Sequence, residues 1–392
     1  MNHIDKKERY PFYFFIFYLL IFMSGGVFNT FLPLYFKEKG FDQTTIGTLL
    51  AIGPFVAILA QPLWGLVCDR AQNKNNVLRL LMIGSVISAV LLKLDDSILY
   101  LCFGMAALAV FQSPIFSVND SITLEYLQDS RWNFGPIRMA GTIGFAIAAL
   151  GGGFFANKDI NIIFPLFAGI MIINALTSLV IPKVKGHQCN GNKVPIWSIF
   201  KNREFVILMT LNLIFSITIG FNGNFFAIYY KQLGADNSLV GWVTFITAVA
   251  EIPFLFFADR ILRRFGTNKI LVASLFVTTL RWFLQYAVTN VYGLLAINVL
   301  HGMNYIVFAY SLATYINDRM PKELRTTGQT INGLISGGLA KIIASIGGGA
   351  LSDAIGTRPI YLYMAILDLL GVVVFSFLFF RKSYETKNGI EV

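Results

Sequence analysis

Apolar residues in this chain arrive in blocks of about 20, the length at which a helix rising 1.5 Å per residue crosses ~30 Å of hydrocarbon. A large water-soluble core is built instead from shorter, amphipathic segments. Charged residues make up 13% of the chain, against roughly 25% in soluble domains. Mean hydropathy is +0.65. The sequence therefore predicts a protein that crosses a membrane many times. The first block, 12–36, is too long for a secretory signal and has no small-residue cleavage site, so it reads as the first span.

Polar breaks divide the chain into twelve expected helices. They fall at 12–36, 44–68, 78–94, 98–127, 136–156 and 161–181, then 204–230, 239–258, 269–289, 291–316, 326–351 and 360–380. Placing both termini in the cytoplasm puts 22 of the 31 Lys and Arg residues on the inner side, 6 outside and 3 within spans. The inner set includes Arg70, Lys74 and Arg79. The net charge of +10 then faces anionic lipid head groups and calls for no nucleic acid. Tyr35-Phe-Lys-Glu-Lys-Gly-Phe-Asp42 with Gly47 is echoed by Tyr229-Tyr-Lys-Gln-Leu-Gly-Ala-Asp236 with Gly241. Each copy is followed by a helix and an Asp-Arg pair, Asp69-Arg70 and Asp259-Arg260. The expectation is an all-α polytopic membrane protein of two pseudo-symmetric six-helix bundles, 1–182 and 204–392, joined by a cytoplasmic linker, 183–203.

QPLWGLVCDR (61–70) resembles the G-x-x-x-D-[RK] loop signature of the major facilitator superfamily, carried here by Gly65 and Asp69-Arg70. With FGPIRMAGTIGF (134–145) and VLHGMNY (299–305), the chain is similar to the lactose-permease branch and to the phenylpropionate-type and nucleoside-type proton symporters. The resemblance implies the major facilitator fold. It also implies that Asp120 and Arg138 stand where sugar permeases hold substrate, with Phe145 at the position of a tryptophan that stacks on the sugar ring. Arg281 and His301 fall on an arginine and a histidine of the coupling site, and Glu251 lies about one turn from an acid there. Asn304 departs from the pattern, because it occupies the place of the proton-carrying glutamate and a carboxamide cannot carry the proton.

Elementary energetics single out the same residues. Asp120, Arg138, Glu251, Arg281, His301, Lys341 and Asp368 fall inside spans, where each central charge costs roughly 2.5–3.5 kcal/mol. Such groups face one another or a wet cavity. Asp120 and Arg138, opposite in charge on consecutive helices, either meet across the pathway or offer a carboxylate and a guanidinium fork to a ligand. Burial favours the neutral form of an acid and a nearby cation favours the charged form, so Glu251 beside Arg281 and His301 has the minimum physics of proton coupling. Lys341 lines the pathway or pairs with Glu251, and Asp368 has a local structural role. Asn29, Gln112, Asn222 and Asn224 are lining groups or interhelical hydrogen-bonding groups. Gly65, Asp69, Arg70, Asp259 and Arg260 form a gate latch or are ordinary topology-setting charge.

No phosphate-binding loop, dinucleotide fingerprint or clustered metal set occurs, and the histidines are His3, His187 and His301. Cys68, Cys102 and Cys189 form no spacing motif. No cofactor and no enzymatic activity are expected. The sequence reads as a monomeric secondary transporter of the plasma membrane that imports a small polar solute with a proton. Sugars or glycosides come first as its solute, then nucleosides or aromatic carboxylates. Proton-driven drug efflux and a non-transporting sensor are the rival readings.

Overall fold

A computed structural model of the chain describes residues 11–127, 132, 134–182, 203–320 and 322–387, with backbone alone at 259, 322–324, 326 and 378–387. Among these residues there are twelve helices long and apolar enough to cross a membrane. In the first half they are α1 (Phe12–Glu38), α2 (Gln43–Arg70), α3 (Lys74–Leu91), α4 (Ile98–Leu127), α5 (Phe134–Ala156) and α6 (Ile163–Thr177), the last opened by a short 3₁₀ turn. The second half begins with α7 (Arg203–Gln232), α8 (Asn237–Phe265) and α9 (Thr267–Ala287). The expected linker lies outside the described residues apart from Arg203.

The tenth and eleventh spans depart from continuous helix. The tenth is α10 (Val291–Ile297), a 3₁₀ segment (Asn298–Met303) and α11 (Tyr305–Arg319). The eleventh is α12 (Lys322–Gly333), a π-helical segment (Leu334–Leu339) and α13 (Ala340–Ile355). The twelfth is α14 (Thr357–Lys387). Hydropathy cannot register such breaks, because they change hydrogen-bond spacing and leave apolar content unchanged.

The repeat seen in sequence has a local structural basis. Gly40 and Gly234 both take a left-handed backbone conformation, φ +89° and +90°, which side chains with a Cβ adopt only under strain. Two residues on, Asp42 accepts a hydrogen bond from the Thr45 amide at 2.7 Å and Asp236 from the Leu239 amide at 2.8 Å. Each caps the helix that follows.

The chain forms two compact units, Met1–Asn192 with Ala235–Phe245, and Lys193–Gly234 with Ile246–Val392. The start of α8 groups with the first unit because Asn237 donates to the Ala156 carbonyl at 2.8 Å. In the first unit, Phe28 of α1 packs on Phe164 and Phe167 of α6. In the second, Phe215 stacks on Phe308 at 4.0 Å within a core that includes Leu271, Leu312 and Phe375. Leu59, Leu63 and Phe103 are each more than 60% exposed, as lipid-facing side chains of a span must be.

One close approach fixes the second unit. A Cβ added to Gly302 would lie 1.9 Å from the Ala250 carbonyl oxygen, so the 3₁₀ segment rests directly on the backbone of α8. The neighbours of these two residues are His301 and Glu251. Gly302→Val is therefore expected to push the segment off α8 and to destabilise the protein by about 1–3 kcal/mol or more, as overpacking does. Thermal unfolding in detergent reads this directly; an unchanged midpoint would show that the contact is not tight.

Candidate functional site

The structure gathers the intramembrane polar groups into three clusters. In the first unit, Asp120 of α4 accepts a hydrogen bond from the Tyr18 hydroxyl of α1 at 2.5 Å. Arg138 of α5 lays its guanidinium over the Phe22 ring, also of α1, at 4.1 Å. Phe116, one turn before Asp120, meets Phe22 edge-on at 4.9 Å. Asp120 and Arg138 form no direct ion pair with each other, so the first of the two expected arrangements is not the one seen. Helix α1 supplies a partner to each instead, and this leaves acceptor capacity on Asp120 and donor capacity on Arg138. Asn29 lies three turns beyond Tyr18 on the same face of α1 and is exposed. Phe145 lies two turns beyond Arg138 on α5 and is half-buried. The cluster offers a carboxylate, a phenol, a guanidinium and aromatic faces, the set needed to hold a polar solute by its edges and a ring by its face.

The second cluster is a continuous chain across the second unit. His301 Nε2 lies 3.2 Å from Glu251 Oε1. On the other side of the imidazole, Arg281 Nη1 lies 2.6 Å from His301 Nδ1. Arg281 Nη2 donates to Asn298 Oδ1 at 2.6 Å, and Asn298 Nδ2 donates to the Tyr230 hydroxyl at 2.6 Å. Arg281 is 1% exposed and touches no carboxylate directly. A guanidinium has no acceptor, so it must be the donor to Nδ1. That fixes His301 as the neutral tautomer bearing hydrogen on Nε2, which donates to Glu251. An imidazolium would set two donors face to face.

Asn304 takes no part in this chain. It is fully buried, and its side-chain oxygen accepts from the Tyr305 amide at the start of α11, so it caps the helix after the break. The carboxamide nitrogen of Asn304 is buried without a partner.

Asp368 of α14 forms the third cluster. It is fully buried and accepts from Thr218 Oγ1 of α7 at 3.0 Å and Trp282 Nε1 of α9 at 2.9 Å. Three helices meet at one carboxylate. The Trp282 indole in turn lies 4.8 Å from the Arg281 guanidinium.

The remaining expected residues are placed as follows. Asn222 accepts from the Tyr361 hydroxyl at 3.1 Å, and Asn224 donates to Ser345 Oγ at 2.7 Å, so both tie α7 to its neighbours. Lys341 does not pair with Glu251, whose carboxylate faces His301. Gly65 lies in α2, Asp69 and Arg70 are exposed at its end, and Arg260 is exposed in the last turns of α8, with no hydrogen bond or ion pair among the described residues. The Asp259 side chain lies outside the described residues. Lys74, assigned to a loop from sequence, begins α3 instead. It is buried and holds Glu125 of α4 at 2.9 Å. Tyr18, Phe22, Tyr230 and Asn298 were not distinguishable in the sequence, where they are four among many aromatic and amide residues in apolar runs.

The model of the MFS_1-like family matches residues 13–363. The chain belongs to that family. This transporter is 28% identical over 362 residues to an uncharacterised transporter of Bacillus subtilis (strain 168), YwbF, covering 91% of the chain and 90% of that protein. It is 24% identical to the maltose permease of Geobacillus stearothermophilus, covering 94% of the chain and 93% of the permease. It is 23% identical to the protein of Escherichia coli (strain K12) named probable 3-phenylpropionic acid transporter, covering 90% and 93%. The crystal structure of the nucleoside transporter NupG shares its fold, with a TM-score of 0.84 at 18% identity, covering 94% of this chain and 98% of that one. The protein is a multi-pass membrane transporter of the major facilitator type, with twelve spans in two six-helix bundles.

The Asp368 cluster yields a stability prediction. Thr218→Val and Trp282→Phe each remove a donor to a buried carboxylate and are expected to cost about 1–3 kcal/mol. Asp368→Asn, whose oxygen still accepts from both, is expected to cost less. Thermal midpoints of the three variants check the order.

Proposed function

We propose that this transporter is a proton-coupled symporter of the plasma membrane. It works as a monomer with both termini in the cytoplasm and imports a small polar solute by alternating access of its two halves, 1–182 and 204–392. The observation that carries the reading is the Glu251–His301–Arg281 chain. It holds one titratable carboxylate and one buried cation on opposite sides of a single imidazole. With Glu251 ionised the chain has no net charge; with Glu251 protonated it carries one uncompensated positive charge. Protonation of Glu251 therefore changes what the site can hold and whether it can turn, which is what coupling requires. His301 relays polarity between the two and is barred from taking a second proton while Arg281 occupies Nδ1. This ordering makes Glu251 the proton carrier, in the absence of a carboxylate at Asn304.

Asp120, Tyr18, Arg138, Phe22, Phe145 and Asn29 form the solute site of the first half. A carboxylate with a phenol and a guanidinium suits the hydroxyls of a sugar or glycoside. The aromatic faces suit equally a nucleoside base or an aromatic acid. The maltose, 3-phenylpropionic acid and nucleoside names among its relatives span the same range. Drug efflux is the weaker reading, since a pocket for apolar, adaptable cargo has no use for this density of fixed polar groups.

Proteoliposomes with an internal pH dye test the reading. Maltose, a nucleoside or 3-phenylpropionate, added outside, is expected to acidify the lumen. Glu251→Gln is expected to abolish accumulation driven by pH while solute exchange at equal pH continues. Asp120→Asn is expected to weaken solute binding about tenfold, the worth of one charged hydrogen bond. Accumulation unchanged in both variants would refute the assignment, and acidification on removing solute from the lumen would favour efflux.

A further inference from the structure

Lys341 is the intramembrane cation that none of the three clusters absorbs. It stands at the midpoint of the eleventh span, Thr327–Ile355, fourteen residues from either end. That places it at mid-membrane, about 15 Å from either edge of the hydrocarbon layer, beyond the reach of a four-carbon stem that would snorkel. Among the described residues its ammonium has no hydrogen-bond or ion-pair partner, and the side chain is exposed.

The direction of that exposure follows from α13 itself. Leu339, Ile343 and Ile346, each more than 40% exposed, mark the lipid side. Lys341 lies on the opposite side, in line with Ser345, Gly348 and Ser352, all of them buried. Its Cγ would lie 3.9 Å from a Cβ on Gly220 of α7, so its stem runs along that helix. Ser345 donates to the Lys341 carbonyl at 2.6 Å and receives a hydrogen bond from Asn224 of α7 at 2.7 Å, which ties the backbone under the lysine to its neighbour. The π-helical segment Leu334–Leu339 ends immediately before α13, and π-helical turns concentrate at functional sites. An ammonium on the protein side of a mid-membrane helix, with no acceptor among the described residues, is a positive charge that the protein leaves uncompensated.

We propose that Lys341 is an anion-binding residue and that the transported solute carries a carboxylate, or another single negative charge, which docks on it. This deepens the proposed function, on whose transport reading it rests, and narrows the solute class to acids. The other two cations of the sequence-predicted intramembrane set are engaged: Arg281 with His301 and Asn298, and Arg138 with the Phe22 ring. Lys341 alone among the three has no protein group to satisfy it, and a bound anion would remove the cost of leaving it so.

The test uses full-length protein in detergent and monocarboxylates each paired with the corresponding primary amide, starting with 3-phenylpropionate and 3-phenylpropionamide. Binding is measured by calorimetry in the wild type, Lys341→Arg and Lys341→Gln, with thermal unfolding to confirm that the variants fold. The expected result is at least one acid that binds about tenfold or more tightly than its amide to wild type and Lys341→Arg, with the preference lost in Lys341→Gln. The proposal is overturned if no acid outbinds its amide, or if the preference survives in Lys341→Gln. Maltose or a nucleoside carried at a rate untouched by Lys341→Gln would also overturn it while leaving the symport reading intact. Conversely, a carboxylate that binds through Lys341 but moves no protons across proteoliposomes would remove the coupling and keep the anion site.

Discussion

A charge in hydrocarbon has no water to lean on, and the polar interior of this protein is arranged around that constraint. Each buried ion must find a protein donor, a protein acceptor, an aromatic face or an aqueous space, because the alternative costs several kcal/mol per group. The structure shows a different solution at nearly every site. Lys74 and Glu125 pair directly. Asp120 takes a phenol and Asp368 takes a hydroxyl and an indole. Arg138 takes a ring face. Arg281 takes an imidazole and a carboxamide, and passes its influence on to a carboxylate through the imidazole.

These solutions differ in what they permit. A direct ion pair such as Lys74–Glu125 neutralises both members and holds helices together. Asp368 also holds helices together, through neutral donors from two of them that meet one of its oxygens. The Glu251–His301–Arg281 chain is different in kind, because charge compensation there passes through a group that can change its hydrogen bonds without leaving its place. In the proposed mechanism a proton on Glu251 is felt at Arg281 across one ring, and the chain couples charge to geometry where a simple pair would merely lock it.

The break in the tenth span is what makes this possible. A regular helix through 298–303 would present its side chains every 3.6 residues. The tighter 3₁₀ turn, seated on α8 by Gly302, brings Asn298 and His301 onto one side, so that Arg281 can hold both. Asn304 then restarts the helix. Its position matches a proton-carrying acid in the family that the sequence resembles, but here it serves the backbone.

Much of the architecture was legible in the sequence. Blocks of about 20 apolar residues dictate membrane-crossing helices because the backbone must satisfy itself in lipid. The matched Gly and Asp of the two repeats mark the turns and caps where Gly40, Gly234, Asp42 and Asp236 are found. The cost of burying charge singled out Asp120, Arg138, Glu251, Arg281, His301, Lys341 and Asp368 without coordinates. What the sequence could not decide is who meets whom. Opposite charge left open a pairing of Asp120 with Arg138 and of Glu251 with Lys341; instead the α1 side chains Tyr18 and Phe22 partner the first two, and Glu251 faces His301. Contacts between helices depend on the angle at which each presents its faces, and on residues such as Tyr18 and Gly302 that are unremarkable in an apolar run. Composition sets the number of spans, and packing alone chooses the partners.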